Sequence, residues 1–229
     1  MRNDYIHITL VIDKSGSMYQ SREDVISGIK KIVDEQKANK NGKCTISLYT
    51  FDSKVNEVFV GKDVNEIEEF KYTPDGLTAM NDGLGIAIDN TGKWLAAMKE
   101  EERPGKVMVA VFTDGLENAS KEYTLKQVQD KIKEQTDIYS WEFVYLGTDI
   151  TTTKAADDLG FKFKTYSSRK KMGSNYDIIN TVTNCYRTLA STGADASTLA
   201  MSFCETIKEE TAKNTASFEK EIGKKLTNE

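Results

Sequence analysis

Val107-Met108-Val109-Ala110-Val111-Phe112 constrains the fold more than any other stretch, because it is an unbroken apolar run opened by Lys106 and closed by Thr113-Asp114-Gly115. A strand with one wet face alternates apolar and polar residues; this one does not, so both its faces are covered. Strands buried on both faces belong to parallel sheets, whose crossover helices lie above and below. The run is therefore expected to be a central strand. Tyr5 to Ile12 supplies a second, with Ile6, Ile8 and Leu10 on one face and Tyr5, His7, Thr9 and Val11 on the other, and it also ends in a carboxylate, Asp13.

The segments between and after these runs supply the helices. Tyr19 to Lys40 carries an apolar stripe of Val25, Ile26, Ile29, Ile32 and Val33, and Asn41-Gly42 ends it. Cys44 to Phe51 reads as a strand, and Asp52-Ser53 turns the chain into an antiparallel edge strand over Val55 to Val60. The loop Tyr72-Thr73-Pro74-Asp75-Gly76-Leu77-Thr78 leads to a helix from Ala79 to Lys99. A polar helix over Tyr123 to Gln135 precedes a strand over Ile138 to Leu146 that ends in Gly147-Thr148-Asp149. A short helix, Thr152 to Leu159, and a strand, Phe161 to Thr165, complete the alternation. The expected class is α/β, a doubly wound and mostly parallel sheet with one antiparallel edge strand, plus C-terminal helices.

The character changes after Tyr166, so residues 1–166 are read as the main domain and 167–229 as a helical extension. Ser167-Ser168-Arg169-Lys170-Lys171 is a short basic loop, read as solvated surface. Asn175 to Ala190 forms a helix, and Asp195 to Leu226 one or two more, which either cap the domain or project to a partner and so permit self-association. The net charge of −5 speaks against a nucleic-acid partner. Neither a leader nor an apolar run long enough for a bilayer is visible, so no membrane role is expected and a cytoplasmic location is the simplest one. Cys44, Cys185 and Cys204 are too scattered for a disulfide framework or a zinc site, and His7, in mid-strand, reads as a core residue.

In open α/β sheets ligands gather beyond the carboxyl ends of the strands. Asp13, Ser15 and Ser17 fall there, on alternate residues, and such hard oxygen donors suit Mg²⁺, which seldom takes all its ligands from one segment. Thr78, after its glycine-containing loop, and Asp114, after the central strand, reach the same rim. Taken singly, each is an ordinary cap or loop residue. Asp82 and Asp149 are explained equally well by helix capping and solvation.

Together the five positions, Asp13-x-Ser15-x-Ser17, Thr78 and Asp114, resemble the metal-ion-dependent adhesion site of the von Willebrand factor A domain family, with its D-x-S-x-S, distant Thr and distant Asp. Gly76-Leu77-Thr78-Ala79-Met80-Asn81-Asp82, Thr113-Asp114-Gly115-Leu116-Glu117-Asn118 and Trp141-Glu142-Phe143-Val144-Tyr145-Leu146-Gly147 are similar to segments of bacterial and prophage-type members. The resemblance covers about residues 5 to 166. It implies a Rossmann-like fold in which Ser15 and Ser17 ligate the cation, Thr78 joins when ligand binds, and Asp13 and Asp114 act through water or hydrogen bonds. Hydroxyl ligands leave a dication largely uncompensated, so its open position attracts an anionic oxygen.

The expected function is Mg²⁺-dependent capture of an Asp or Glu of a protein partner, with Mn²⁺ or Ca²⁺ as alternative ions. Neither a nucleophile and base pair nor a P-loop is present, so no enzyme is expected. A metal-assisted phosphohydrolase, with Asp13 as nucleophile, is the rival; Ser15 stands where a D-x-D pattern has its second carboxylate. An assembly protein with a merely stabilising metal is the third reading.

Overall fold

The computed structural model describes residues 1–148, 153–167 and 173–226. A six-stranded sheet is built from β1 (Arg2–Asp13), β2 (Lys43–Phe51), β3 (Val55–Asp63), β4 (Pro104–Thr113), β5 (Glu142–Gly147) and β6 (Phe163–Tyr166), in the order β3-β2-β1-β4-β5-β6. All neighbours are parallel except β2 and β3, so the antiparallel edge strand lies where the sequence put it. Among the described residues the α-helices are α1 (Arg22–Ala38), α2 (Met80–Ala96), α3 (Leu125–Tyr139), α4 (Thr153–Asp158), α5 (Gly173–Ser191) and α6 (Ala196–Leu226).

The sheet separates two cores. Ile6, Ile8, Leu10 and Ile12 of β1 face α1 and α5, while Val11 faces the α2 and α3 side with Val107, Val109 and Val111 of β4. This is the face assignment expected from the alternation in β1. The α2 side of the sheet also holds a polar band. There the buried His7 ring bonds to Thr45 (2.8 Å) through Nδ1 and to Thr9 and Ser47 (both 3.1 Å) through Nε2, and Thr9 meets Thr91 of α2 at 3.0 Å. Gly28 of α1 lets the Tyr176 ring lie against its backbone, since a Cβ there would fall 2.3 Å from Tyr176 Cδ2.

Several boundaries differ from the sequence expectation by a few residues, and two of them have a local cause. The helix expected from Tyr19 starts with a 3-10 turn, Gly16–Ser21, tightened by Met18 N–H donating to the Ser15 carbonyl (3.0 Å) and anchored by buried Met18; α1 proper begins at Arg22. The strand expected from Ile138 begins at Glu142, because α3 runs on to Tyr139 and ends in a left-handed Ser140 (φ 55°). Ser140 N–H then bonds back to the Thr136 carbonyl and Trp141 N–H to the Gln135 carbonyl, so a left-handed residue caps the helix and Ile138 and Tyr139 are left exposed on its last turn.

The C-terminal chain packs on the sheet. Arg187 of α5 donates to the carbonyls of Gln36, Asn39, Asn41 and Gly42, closing the C-terminal end of α1. α6 is a single helix whose Leu199, Phe203 and Ile207 join the first core and whose Phe218 joins the second. Between them it passes the outer strand β6, where Thr215 bonds to Thr165 (2.9 Å) and Asn214 donates to the Tyr166 carbonyl (3.4 Å) and to Asn175 (2.8 Å). Among the described residues no helix is long and apolar enough to cross a membrane. Asp149 and the basic residues Arg169 to Lys171 lie outside the described residues.

Candidate metal centre

The site forms where β1 and β4 end side by side. Ile12 is in register with Phe112, so the next step along both strands puts Asp13 beside Thr113. The Thr113 hydroxyl donates to Asp13 Oδ2 at 2.6 Å, and the Ser15 backbone N–H donates to Oδ1 at 2.7 Å. Tyr72 donates its hydroxyl to the Asp13 carbonyl at 2.5 Å. Asp13 is fully buried, and burial pushes its carboxyl up to about 6; the bonds from Ser15 and Thr113 pull it down, while the Asp114 charge adds to the rise. Its oxygens are thus held by neutral donors, and its neighbour Lys14 is turned to Asp52 at 2.5 Å. A buried carboxylate in this setting is electrostatically suited to a cation.

Ser15 Oγ and Ser17 Oγ lie 3.1 Å apart, and Ser17 donates to Asp114 Oδ1 at 2.5 Å. Adjacent oxygens of a Mg²⁺ octahedron, with bonds of about 2.1 Å, are separated by roughly 3 Å. The serine pair therefore spans one octahedral edge without rearrangement. Ser17 is exposed and Ser15 buried, so the edge opens to solvent on one side. Among the described residues no three His, Cys, Asp or Glu side chains converge to hold a metal, and the donors gathered here are chiefly hydroxyls.

The loop before α2 brings in Thr78. Gly76, with φ of 74°, accepts the Gly16 N–H on its carbonyl (3.1 Å), Asp75 N–H donates to the Lys14 carbonyl (2.8 Å), and Leu77 N–H donates to Ser53 (3.0 Å). This lays the loop along the serine turn. Thr78 Oγ1 lies 3.3 Å and Asp13 Oδ2 3.8 Å from the point where a Cβ on Gly115 would stand, so any side chain at 115 would press on the threonine. The five residues named from the sequence therefore meet: Asp13, Ser15, Ser17 and Asp114 through hydrogen bonds, and Thr78 across Gly115.

Several residues that hold the site were given no role by sequence reasoning. Asn118 grips Thr78 from both sides, its side-chain oxygen accepting the Thr78 N–H (2.9 Å) and its own N–H donating to the Thr78 carbonyl (3.0 Å). Glu117 accepts the N–H groups of Asn81, Ala119 and Ser120 together with the Ser120 hydroxyl. Asp82 accepts those of Lys121, Glu122 and Tyr123. The start of α2 and the chain after Asp114 are thereby stapled together. In the sequence, the only sign of this work is that Glu117 and Asn118 closely follow Asp114. His7 takes no part: burial lowers it to about 3, and it stays in the polar band.

Solved structures with this fold include three informative ones. Proximal thread matrix protein 1 from the mussel byssus, with a zinc-occupied MIDAS motif, superposes with a TM-score of 0.53 at 17% identity over 79% of this chain and 46% of its own. Manganese-loaded TRAP protein of Plasmodium vivax gives 0.51 at 18% identity, over 76% and 72%. The D319A mutant of the PilB minor pilin from Streptococcus sanguinis gives 0.56 at 11% identity, over 83% and 64%. The chain spans less than two thirds of the mussel protein and of the pilin, and at these identities the likeness is one of fold. No curated protein sequence matches it. The family model of the von Willebrand factor type A domain matches residues 7–158, from mid β1 through α4 and well over half of the chain, and the chain belongs to that family.

Proposed function

We propose that this protein is a cation-dependent protein-binding module in which Ser15 and Ser17 hold Mg²⁺, Thr78 joins them when a partner binds, and Asp13 and Asp114 orient the hydroxyls and supply compensating charge. The observation that carries this reading is the serine pair, at 3.1 Å a ready octahedral edge beside Asp114. The bound ion would supply positive charge at the rim, and a carboxylate from an Asp or Glu of the partner is the anionic oxygen that complements it. The zinc and manganese of the mussel and Plasmodium structures lend support to a divalent ion in this fold. A binding role is favoured over phosphoester hydrolysis because both Asp13 oxygens already accept hydrogen bonds and Ser15 occupies the place of a second carboxylate.

The test is thermal unfolding in EDTA against saturating MgCl₂, MnCl₂ or CaCl₂. At a hundredfold excess over the dissociation constant the ion adds about 2.7 kcal/mol, or roughly 5–11 °C for a domain of this size. Ser17→Ala should abolish most of that shift while melting normally in EDTA. Identical melting of the wild-type protein with and without all three ions would overturn the reading.

A further inference from the structure

The end of the sheet opposite the metal centre, where β1 and β4 begin, holds a cavity of about 530 Å³. It lies between the C-terminal ends of α2 and α3, the first turn of α6 and Tyr186 of α5. Leu95, Val107, Trp141 and Leu199 form its buried apolar wall. Met1, Ile138 and Tyr139 also line it and are 70%, 66% and 58% exposed, so three of the nine large apolar side chains left exposed among the described residues stand at this one opening. Apolar side chains kept in water around a single concavity are a sign of a ligand groove, and the volume falls in the range of roughly 300–1,000 Å³ usual for small-molecule sites. The α5 and α6 contributions come from outside residues 7–158, so the cavity is built in part by this chain's own extension of the family fold.

Lys106 and Arg103 both reach the cavity, in different states. Lys106 is buried and engaged, its Nζ donating to the Ser140 carbonyl at 2.9 Å and to Glu142 Oε1 at 3.0 Å. Arg103 is half-buried; its Nε donates to the Met98 carbonyl (3.2 Å) and its Nη2 to the Ala96 carbonyl (3.4 Å), and among the described residues it pairs with no carboxylate. The C-terminal end of α2 offsets only about half a charge, which leaves surplus positive charge at the edge of an apolar space. Both N–H groups of Nη1 and one of Nη2 remain for an outside acceptor, a fork that matches a carboxylate. Glu134, which also lines the cavity, is exposed on α3 and screened by water.

We infer that this cavity binds an aliphatic carboxylate, its chain against Leu95, Val107, Trp141 and Leu199 and its carboxylate on Arg103. At interior packing density the volume takes a chain of roughly twelve to sixteen carbons. The site is separate from the metal centre and needs no cation.

The experiment uses the full chain as Trp94→Phe, which leaves Trp141 as the one tryptophan, and follows quenching of its fluorescence by 11-bromoundecanoate in EDTA, below the micellar range. Saturable quenching is expected, reversed by dodecanoate at least about tenfold more effectively than by dodecanol or dodecyltrimethylammonium, the advantage of a charge-assisted pair. In Arg103→Gln the preference for dodecanoate over dodecanol should fall to within about threefold while dodecanol binding stays unchanged. Ala200→Phe places a ring in the cavity without touching Arg103 or its contacts to α2, and should weaken the bromo acid, dodecanoate and dodecanol alike by at least about tenfold; melting without ligand checks the fold of each variant. No saturable quenching at millimolar bromo acid, equal displacement by the three competitors, an unchanged preference in folded Arg103→Gln, or unaltered binding in Ala200→Phe would each overturn the inference. Binding to phosphatidylglycerol vesicles without quenching by the free acid would assign the opening to a bilayer surface, and a dimer in sedimentation without quenching would assign it to a second copy; either result overturns the inference as well.

Discussion

Replacing Asp82 with alanine is the most informative single perturbation of the scaffold around the site. Asp82 lies in the first turn of α2, buried, with Oδ1 accepting the N–H groups of Glu122 (2.9 Å) and Tyr123 (2.7 Å) and Oδ2 that of Lys121 (2.8 Å). Hydrogen bonds to a charged acceptor contribute about 1.5–3 kcal/mol each. Lys121 and Glu122 are exposed, so water replaces much of what they lose, and the expected net cost is about 3 kcal/mol, including the negative charge lost from the helix N-terminus. That corresponds to a fall of roughly 6–12 °C in melting temperature. Asp82→Asn keeps one oxygen but turns an amide toward the Lys121 N–H, and should fall between the two. Urea unfolding in EDTA measures the cost without metal linkage, and a cycle with Glu117→Ala tests whether the two carboxylates brace one loop: their effects should depart from additivity by at least about 0.5 kcal/mol. A loss below about 1 kcal/mol in Asp82→Ala, or strict additivity with Glu117→Ala, would refute the stapling argument.

His7 gives a pH dependence with a definite sign. Its folded pKa is held near 3 by burial, so between about pH 6.5 and 3 the unfolded chain binds a proton that the folded one does not, and stability falls on acidification, by about 2 kcal/mol from pH 7 to 5. Asp13, raised to about 6, acts in the opposite direction, so the slope is to be read as the difference between wild type and His7→Gln in denaturant titrations across that range. Arg187→Lys should cost at least about 3 kcal/mol in the same assay, because a single ammonium cannot reach the separate carbonyls that the buried guanidinium closes at the end of α1. Gly28→Ala, whose Cβ would enter the Tyr176 ring, should lose about 1–3 kcal/mol although alanine is the better helix former, and a stabilised variant would contradict the packing described.

What was legible in the sequence depended on periodicity and on order along the chain. The double-sided burial of β4, the two faces of β1 and the antiparallel β3 each leave a pattern in consecutive residues, and Asp13, Ser15, Ser17, Thr78 and Asp114 could be brought to one rim because parallel strands end together. The braces were not legible. Asn118, Glu117 and Asp82 act on backbone N–H and C=O groups about forty residues away, which carry no residue identity for a pattern to find. The start of β5 was misplaced for a different reason: Ile138 and Tyr139 look like strand residues but are exposed on a helix, and the stop signal is a left-handed serine where glycine is the usual marker.

The path of α6 has a consequence for how the molecule comes apart. At about 1.5 Å per residue its 31 residues form a rod of roughly 46 Å that is rooted in one hydrophobic layer by Phe203 and Ile207 and in the other by Phe218. Lifting it uncovers both layers and the outer edge of β6 in the same event. The layers on opposite sides of the sheet therefore cannot melt in succession while the rod is seated, and its release and the loss of the sheet belong to one cooperative step.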